Sequence, residues 1–144
     1  SNMTAVFSVA RTAVRRHLGR DNKNTVLRIV NMASVMGLSG GGIYPNPSYQ
    51  ATKGAVINMT RAMAVEWGSE QVRVNALAPT WVRTELMASL LADPKIVNQM
   101  EAAMPLGRLA DPDDVAGAAM FLLSPAASMI TGHTLAVDGG YLAQ

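Results

Sequence analysis

The chain has 144 residues, a length that suits one domain of the common size class. Hydrophobic residues make up 49% of it and charged residues only 15%, which argues for a packed core and against disorder. Twelve basic and ten acidic residues leave a net charge of +2, too near balance to make nucleic acid the expected partner, and the lack of cysteine excludes a disulfide framework and a thiolate zinc site.

Val6, Phe7, Ala10, Ala13, Val14 and Leu18 recur at helical spacing, predicting a helix over Met3–Leu18. Arg11, Arg15 and Arg16 fall on its other side and read as a solvated face rather than a nucleic-acid patch. They also interrupt the stretch where a signal peptide would lie, and no apolar run approaches the ~18–20 residues that span a bilayer. The sequon Asn2-Met3-Thr4 thus lacks secretory context, and a cytoplasmic protein with no membrane partner is expected.

Val26–Asn31 is short and β-branched, the pattern of a buried strand. Gly37–Pro47, with four glycines and two prolines, reads as a loop. A long helix is predicted from about Ser48 to Trp67, with Gly68 placed to stop it. Val72–Leu77 is a second strand, closed by Pro79, and Glu85–Met104 is helical with a break near Pro94. Asp111-Pro112-Asp113-Asp114 starts another helix, which runs to about Leu123, and Thr134–Val137 is a third strand. This alternation means an α/β fold with parallel strands. The sheet is narrow and the chain opens directly on a helix; with no repeat and no linker, residues 1–144 read as a single partial domain.

Tyr49 and Lys53 stand four apart and so share one helix face. A phenol with a pKa of about 10 is a poor base at neutral pH. An ammonium beside it favours the phenolate, which makes the pair a proton donor and acceptor. Ser34 follows the first strand, at the end where α/β sheets place ligands, and its hydroxyl could bond a substrate oxygen as charge develops there. Thr84 follows the second strand and Pro79.

In their order and approximate spacing, Ile29–Ser34, Tyr49–Ala55, Val72–Pro79, Thr131-Gly132 and Val137–Gly140 resemble the short-chain dehydrogenases/reductases. The likeness covers essentially the whole chain, but only as the C-terminal part of that family's usual subunit. It implies part of a Rossmann-like, doubly wound parallel sheet, three strands with flanking helices, whose N-terminal cofactor half is absent. It further implies hydride exchange between NAD or NADP and a secondary alcohol or ketone, with sugar alcohols, sugar acids or 3-oxoacyl compounds as candidate small-molecule substrates. Tyr49 would exchange the proton, Lys53 would assist it and bind the nicotinamide ribose, and Ser34 would bond the reacting oxygen. Asn2 would hold a water that links Lys53 to solvent. Beside Pro79, the backbone at Val82 and the side chain of Thr84 would hold the carboxamide. Glu85–Met104 would form a substrate-side lid, and the helices Met3–Leu18 and Ser48–Trp67 would pair with copies of themselves in a dimer or tetramer. No metal is implied.

Thr80 stands where the family usually has glycine, and Gly40-Gly41-Gly42 lengthens the spacing between Ser34 and Tyr49. No Gly-x-Gly-x-x-Gly follows a strand, so the chain by itself is expected to be inactive. Two other readings remain open. One is a non-catalytic fragment that acts only through assembly. The other is an α/β-hydrolase using Ser39 of Gly37-Leu38-Ser39-Gly40-Gly41, with Asp111 or Asp113 and His133, although no strand and helix directly flank that serine.

Overall fold

The computed structural model describes residues 2–21, 24–44 and 46–144. Three parallel strands, β1 (Leu27–Met32), β2 (Val72–Pro79) and β3 (Thr134–Val137), form one sheet in the order β1-β2-β3. Helix α1 (Asn2–Leu18) precedes β1, and α2 (Pro47–Trp67) carries the chain from β1 to β2. Between β2 and β3 lie α3 (Ala88–Leu91), α4 (Pro94–Ala102) and α5 (Pro112–Leu123). The α/β class and the parallel sheet are those predicted.

Side chains alternate across β2 and both of its faces are covered, so its burial is almost continuous. On one face, Val72 and Val74 pack with Ala10 and Val14 of α1 and with Met63 and Ala64 of α2. On the other, Leu77 packs with Leu122 of α5 and Ala127. Buried polar groups pin these layers in register. Asn31 of β1 donates to Thr60 Oγ1 of α2 at 2.9 Å, and the Thr60 hydroxyl donates onward to the Val56 carbonyl. Asn75 of β2 donates to the Ile130 carbonyl and accepts from the His133 amide, which fixes the approach to β3. Each of these groups is satisfied, as burial demands.

Helix α2 stops at Trp67 with Gly68 as its C-cap, as predicted, although Gly68 keeps right-handed helical geometry and leads into a 3-10 turn over Gly68–Glu70. The left-handed residue is Gln71, with φ 59°. The predicted apolar stripe of α1 is only partly buried. Ala10 and Val14 enter the core, whereas Leu18 is exposed and Phe7 is half exposed under the Arg11 guanidinium. A one-turn 3-10 helix, Val35–Gly37, also replaces the start of the predicted loop.

The outer edge of β1 pairs with no strand among the described residues. A groove of about 440 Å³ runs along it, walled by Ala5, Val6, Val9 and Ala13 of α1 and by β1 itself. Among the described residues no helix is long and apolar enough to cross a membrane, and no cluster of acidic and histidine side chains could hold a metal.

Helix α5 begins at Asp111 and Pro112, and the Asp114 carboxylate accepts from the Asp111 amide at 2.8 Å. Arg108 grips the same carboxylate with two bonds, at 2.7 and 2.9 Å. The Arg108 bonds, with the backbone bond from Asp111 next, hold the Asp114 carboxyl down at about 2. Because its folded value lies below the ordinary one of about 3.9, this contribution to stability is complete above about pH 4 and fades as pH falls toward 2. Urea midpoints of the parent and of Asp114→Asn should therefore be well separated at pH 6 and should converge as pH approaches 2.

Candidate active site

Two strand ends and one helix start meet at the C-terminal rim of the sheet. Pairing continues one residue beyond β1, where the Ala33 amide donates to the Leu77 carbonyl at 2.8 Å. Ser34 therefore turns out of the sheet beside the end of β2. It is buried, with 7% of its surface exposed, and it caps the 3-10 turn by accepting from the Met36 amide at 3.2 Å. Its hydroxyl donates to the Pro79 carbonyl over a long 3.5 Å. A bond at that limit is weak, so the proton is readily given to a better-placed oxygen.

Tyr49 lies in the first turn of α2. Asn46 caps this helix, its side-chain oxygen accepting from the Tyr49 amide at 3.1 Å and from the Ser48 hydroxyl at 3.0 Å, and Pro47 supplies the preset first helical residue. The Tyr49 ring is half exposed at the cleft. One turn on, Lys53 brings its ammonium to 5.6 Å from the centre of that ring and anchors it by donating to the Met32 carbonyl at 3.0 Å. Burial pushes the Lys53 ammonium below its ordinary value.

Gly37 explains how the Ser34 turn and α2 come so close. A Cβ on Gly37 would lie 2.6 Å from the Lys53 carbonyl carbon and 2.8 Å from the Gly54 nitrogen. Only a residue without a side chain lets these backbones touch.

Beyond β2 the chain forms a short parallel bridge, Val82 to Ala110. The bridge uses the Trp81 carbonyl and the Arg83 amide, so the amide and carbonyl of Val82 itself point away from Ala110. Thr84 precedes the next 3-10 turn without spending its hydroxyl on the cap. Arg83 holds the segment to α4 through Glu101 at 3.0 Å.

Ser34, Tyr49, Lys53, Pro79, Val82 and Thr84 all line one cleft of about 700 Å³. The side chain of Asn2 lies outside the described residues. Thr80 also lines this cleft; its backbone stays out of the left-handed region, so a side chain is tolerated where the family usually has glycine. Ser39 does not sit on a strand-to-helix elbow. Its hydroxyl accepts from the Gly41 amide in the loop after β1, while His133 precedes β3, two strands away. Of the expected lid over Glu85–Met104, Leu86, Met87 and Leu90 line the cleft. Leu91, Ile96, Val97, Met100 and Met104 pack into a core with Leu109, Trp81 and Tyr141, which Met87 and Leu90 also join. Asn46 and Gly37 were missed as positioning residues. An Asn-Pro pair ahead of a helix is a readable capping signal, whereas the Gly37 contact is between segments and has no local signature.

A family model described as enoyl-(acyl carrier protein) reductase matches residues 1–142. Galactitol 2-dehydrogenase (L-tagatose-forming) of Cereibacter sphaeroides is 47% identical over 113 residues, 78% of this chain and 44% of that protein. A putative NAD(P)-dependent gluconate 5-dehydrogenase from Beutenbergia cavernae, solved with bound NADP, superposes with a TM-score of 0.86 at 39% identity, covering 99% of this chain and 55% of that one. A 4-hydroxyisoleucine dehydrogenase complexed with NADH gives a TM-score of 0.89 at 32% identity, covering 99% and 57%. The chain belongs to the short-chain dehydrogenase/reductase family. It spans about half the length of the relatives it matches.

Gly37→Ala should lower stability by about 1–3 kcal/mol through overpacking. Thermal unfolding of the parent and the variant checks this, and an unchanged midpoint would show that the contact with α2 is not tight.

Proposed function

We propose that this chain is the catalytic portion of an NAD(P)-dependent oxidoreductase that interconverts a secondary alcohol and a ketone. The observation that carries the reading is the shared cleft, in which a phenol with an ammonium against its ring and a buried, weakly bonded serine hydroxyl meet. Oxidation of a secondary alcohol removes a hydride from carbon and a proton from oxygen. Bound NAD(P) supplies the hydride acceptor. Tyr49 Oη takes the proton, and the Lys53 ammonium stabilises the phenolate before the transfer. Ser34 Oγ donates to the reacting oxygen and orients it. In the reverse direction Tyr49 returns the proton to the carbonyl oxygen.

The residues present fit the nicotinamide end of such a cofactor. The free amide and carbonyl of Val82 offer one donor and one acceptor, the pair that a carboxamide needs, and Thr84 adds a hydroxyl. Lys53 would hold the ribose hydroxyls, and Pro79, which lines the same cleft, would adjoin the cofactor. The relatives' names put sugar alcohols and sugar acids among the candidate substrates, beside 3-oxoacyl compounds. The described residues contain no Gly-rich strand–turn–helix to cradle a pyrophosphate, so the 144-residue chain alone is proposed to be inactive, with assembly as its remaining capacity.

A specific observation favours that second capacity. The free edge of β1 and its apolar groove form a template for another strand or another copy. Sedimentation of the isolated chain should show association or poor solubility, through this edge or through α1 and α2, and a well-folded monomer would count against it. In the full-length protein, Tyr49→Phe should abolish alcohol oxidation, by a factor of about 10² or more, while the thermal midpoint stays put. Near-normal turnover would overturn the role given to Tyr49.

A further inference from the structure

Val35, Ile43, Trp81, Leu86, Met87 and Leu90 supply apolar walls to the cleft. These side chains come from three separate segments: the turn after β1, the stretch after β2, and the 3-10 turn leading into α3 with α3 itself. Trp81 is held in place edge-on by Tyr141, with ring centres 5.5 Å apart at 84°. Leu86 lines the cleft with 92% of its surface exposed, and the half-exposed Tyr44 lines it too. An apolar side chain so bare, on the wall of a cleft that holds reacting groups, gains most when an apolar ligand covers it.

The polar groups that line the cleft are few and part of them is committed elsewhere, although the Thr80 hydroxyl is buried without a partner. The Asn46 side-chain oxygen already accepts two bonds in capping α2. Lys53 is the one charged side chain lining the cleft among the described residues, and its ammonium is tied to the Met32 carbonyl and to the Tyr49 ring. A polyol carries a hydroxyl on every carbon, and each one buried against Trp81, Leu86, Met87 and Leu90 would lose its water without gaining a partner from those side chains. A sugar acid would in addition bring a carboxylate for which the described lining offers no cation other than Lys53.

Resting on the reading of the cleft as an alcohol–ketone site, we propose that its substrate is a neutral secondary alcohol or ketone with a hydrocarbon flank, ring or chain, rather than a polyol or a sugar acid. The hydroxyl-bearing carbon sits at Ser34 and Tyr49, and the flank lies along Trp81, Leu86, Met87 and Leu90.

Steady-state oxidation by the full-length protein, with NAD and with NADP, decides the matter using cyclohexanol and 2-heptanol against galactitol and gluconate. The expected result is a kcat/KM at least about tenfold higher for the two hydrocarbon alcohols. Equal or faster turnover of galactitol or gluconate overturns the substrate class and leaves the alcohol–ketone reading standing, because Tyr49→Phe would still abolish that turnover. No oxidation of any of the four, with either cofactor, overturns both. Leu86→Arg places a cation on an exposed position of the wall and should leave the thermal midpoint unchanged. It should raise the gluconate-to-cyclohexanol ratio of kcat/KM by about tenfold; an unchanged ratio overturns the contact assigned to Leu86.

Discussion

The parallel register of β1 on β2, from Leu27 opposite Val72 to Met32 opposite Leu77, is the constraint on which the site depends. Parallel strands leave the sheet at the same end, so the Ser34 turn and the Pro79 carbonyl emerge side by side. A slip of one residue would turn Asn31 away from Thr60 and move Val72 and Val74 out of the core they share with α1 and α2. Satisfied polar pairs at Asn31 and Asn75 and continuous apolar contact in β2 both resist that slip. The chemistry-bearing turn is thus fixed by elements that carry no chemistry.

Helix α2 joins this rim in a way that shows how few contacts set the geometry. Its first turn is fixed by Asn46 and Pro47, which direct Tyr49 into the cleft. Its second turn lies against Gly37 so closely that the two backbones touch. Lys53 bridges the helix and the sheet by reaching the Met32 carbonyl. Capping, close approach and a side-chain tether act on successive turns of one helix. Together they hold the ammonium and the phenol ring within 5.6 Å at the mouth of a cleft open to solvent.

The segment after β2 divides its labour differently. Leu86 faces the cleft, Met87 and Leu90 both line it and pack on Met100, Met104 and Leu109, and Leu91, Ile96 and Val97 belong to that core alone. Asp138 closes the far side by accepting from the Gly140 and Leu142 amides, and the left-handed Gly140 passes within contact distance of Pro105. The Val137-Asp138-Gly139-Gly140 run is therefore a structural clasp that seats Tyr141 against Trp81. The wall that meets a substrate is supported by a small core separate from the one beneath the sheet.

The order and type of the elements were legible in the sequence, because hydrophobic period, proline and capping residues act within a few positions of where they stand. The Tyr49–Lys53 pair was legible for the same reason: four residues on a helix are one turn. What the sequence could not reveal was which distant segments would touch. Gln71, not Gly68, reverses the chain, since a glycine permits a left-handed turn without requiring one. Phe7 and Leu18 share the period of buried residues yet stay exposed, because periodicity marks a face but not what covers it. The partition of the lid into cleft wall and inner core, and the contact of Gly37 with Lys53, were decided only by tertiary packing, which depends on neighbours remote in the chain.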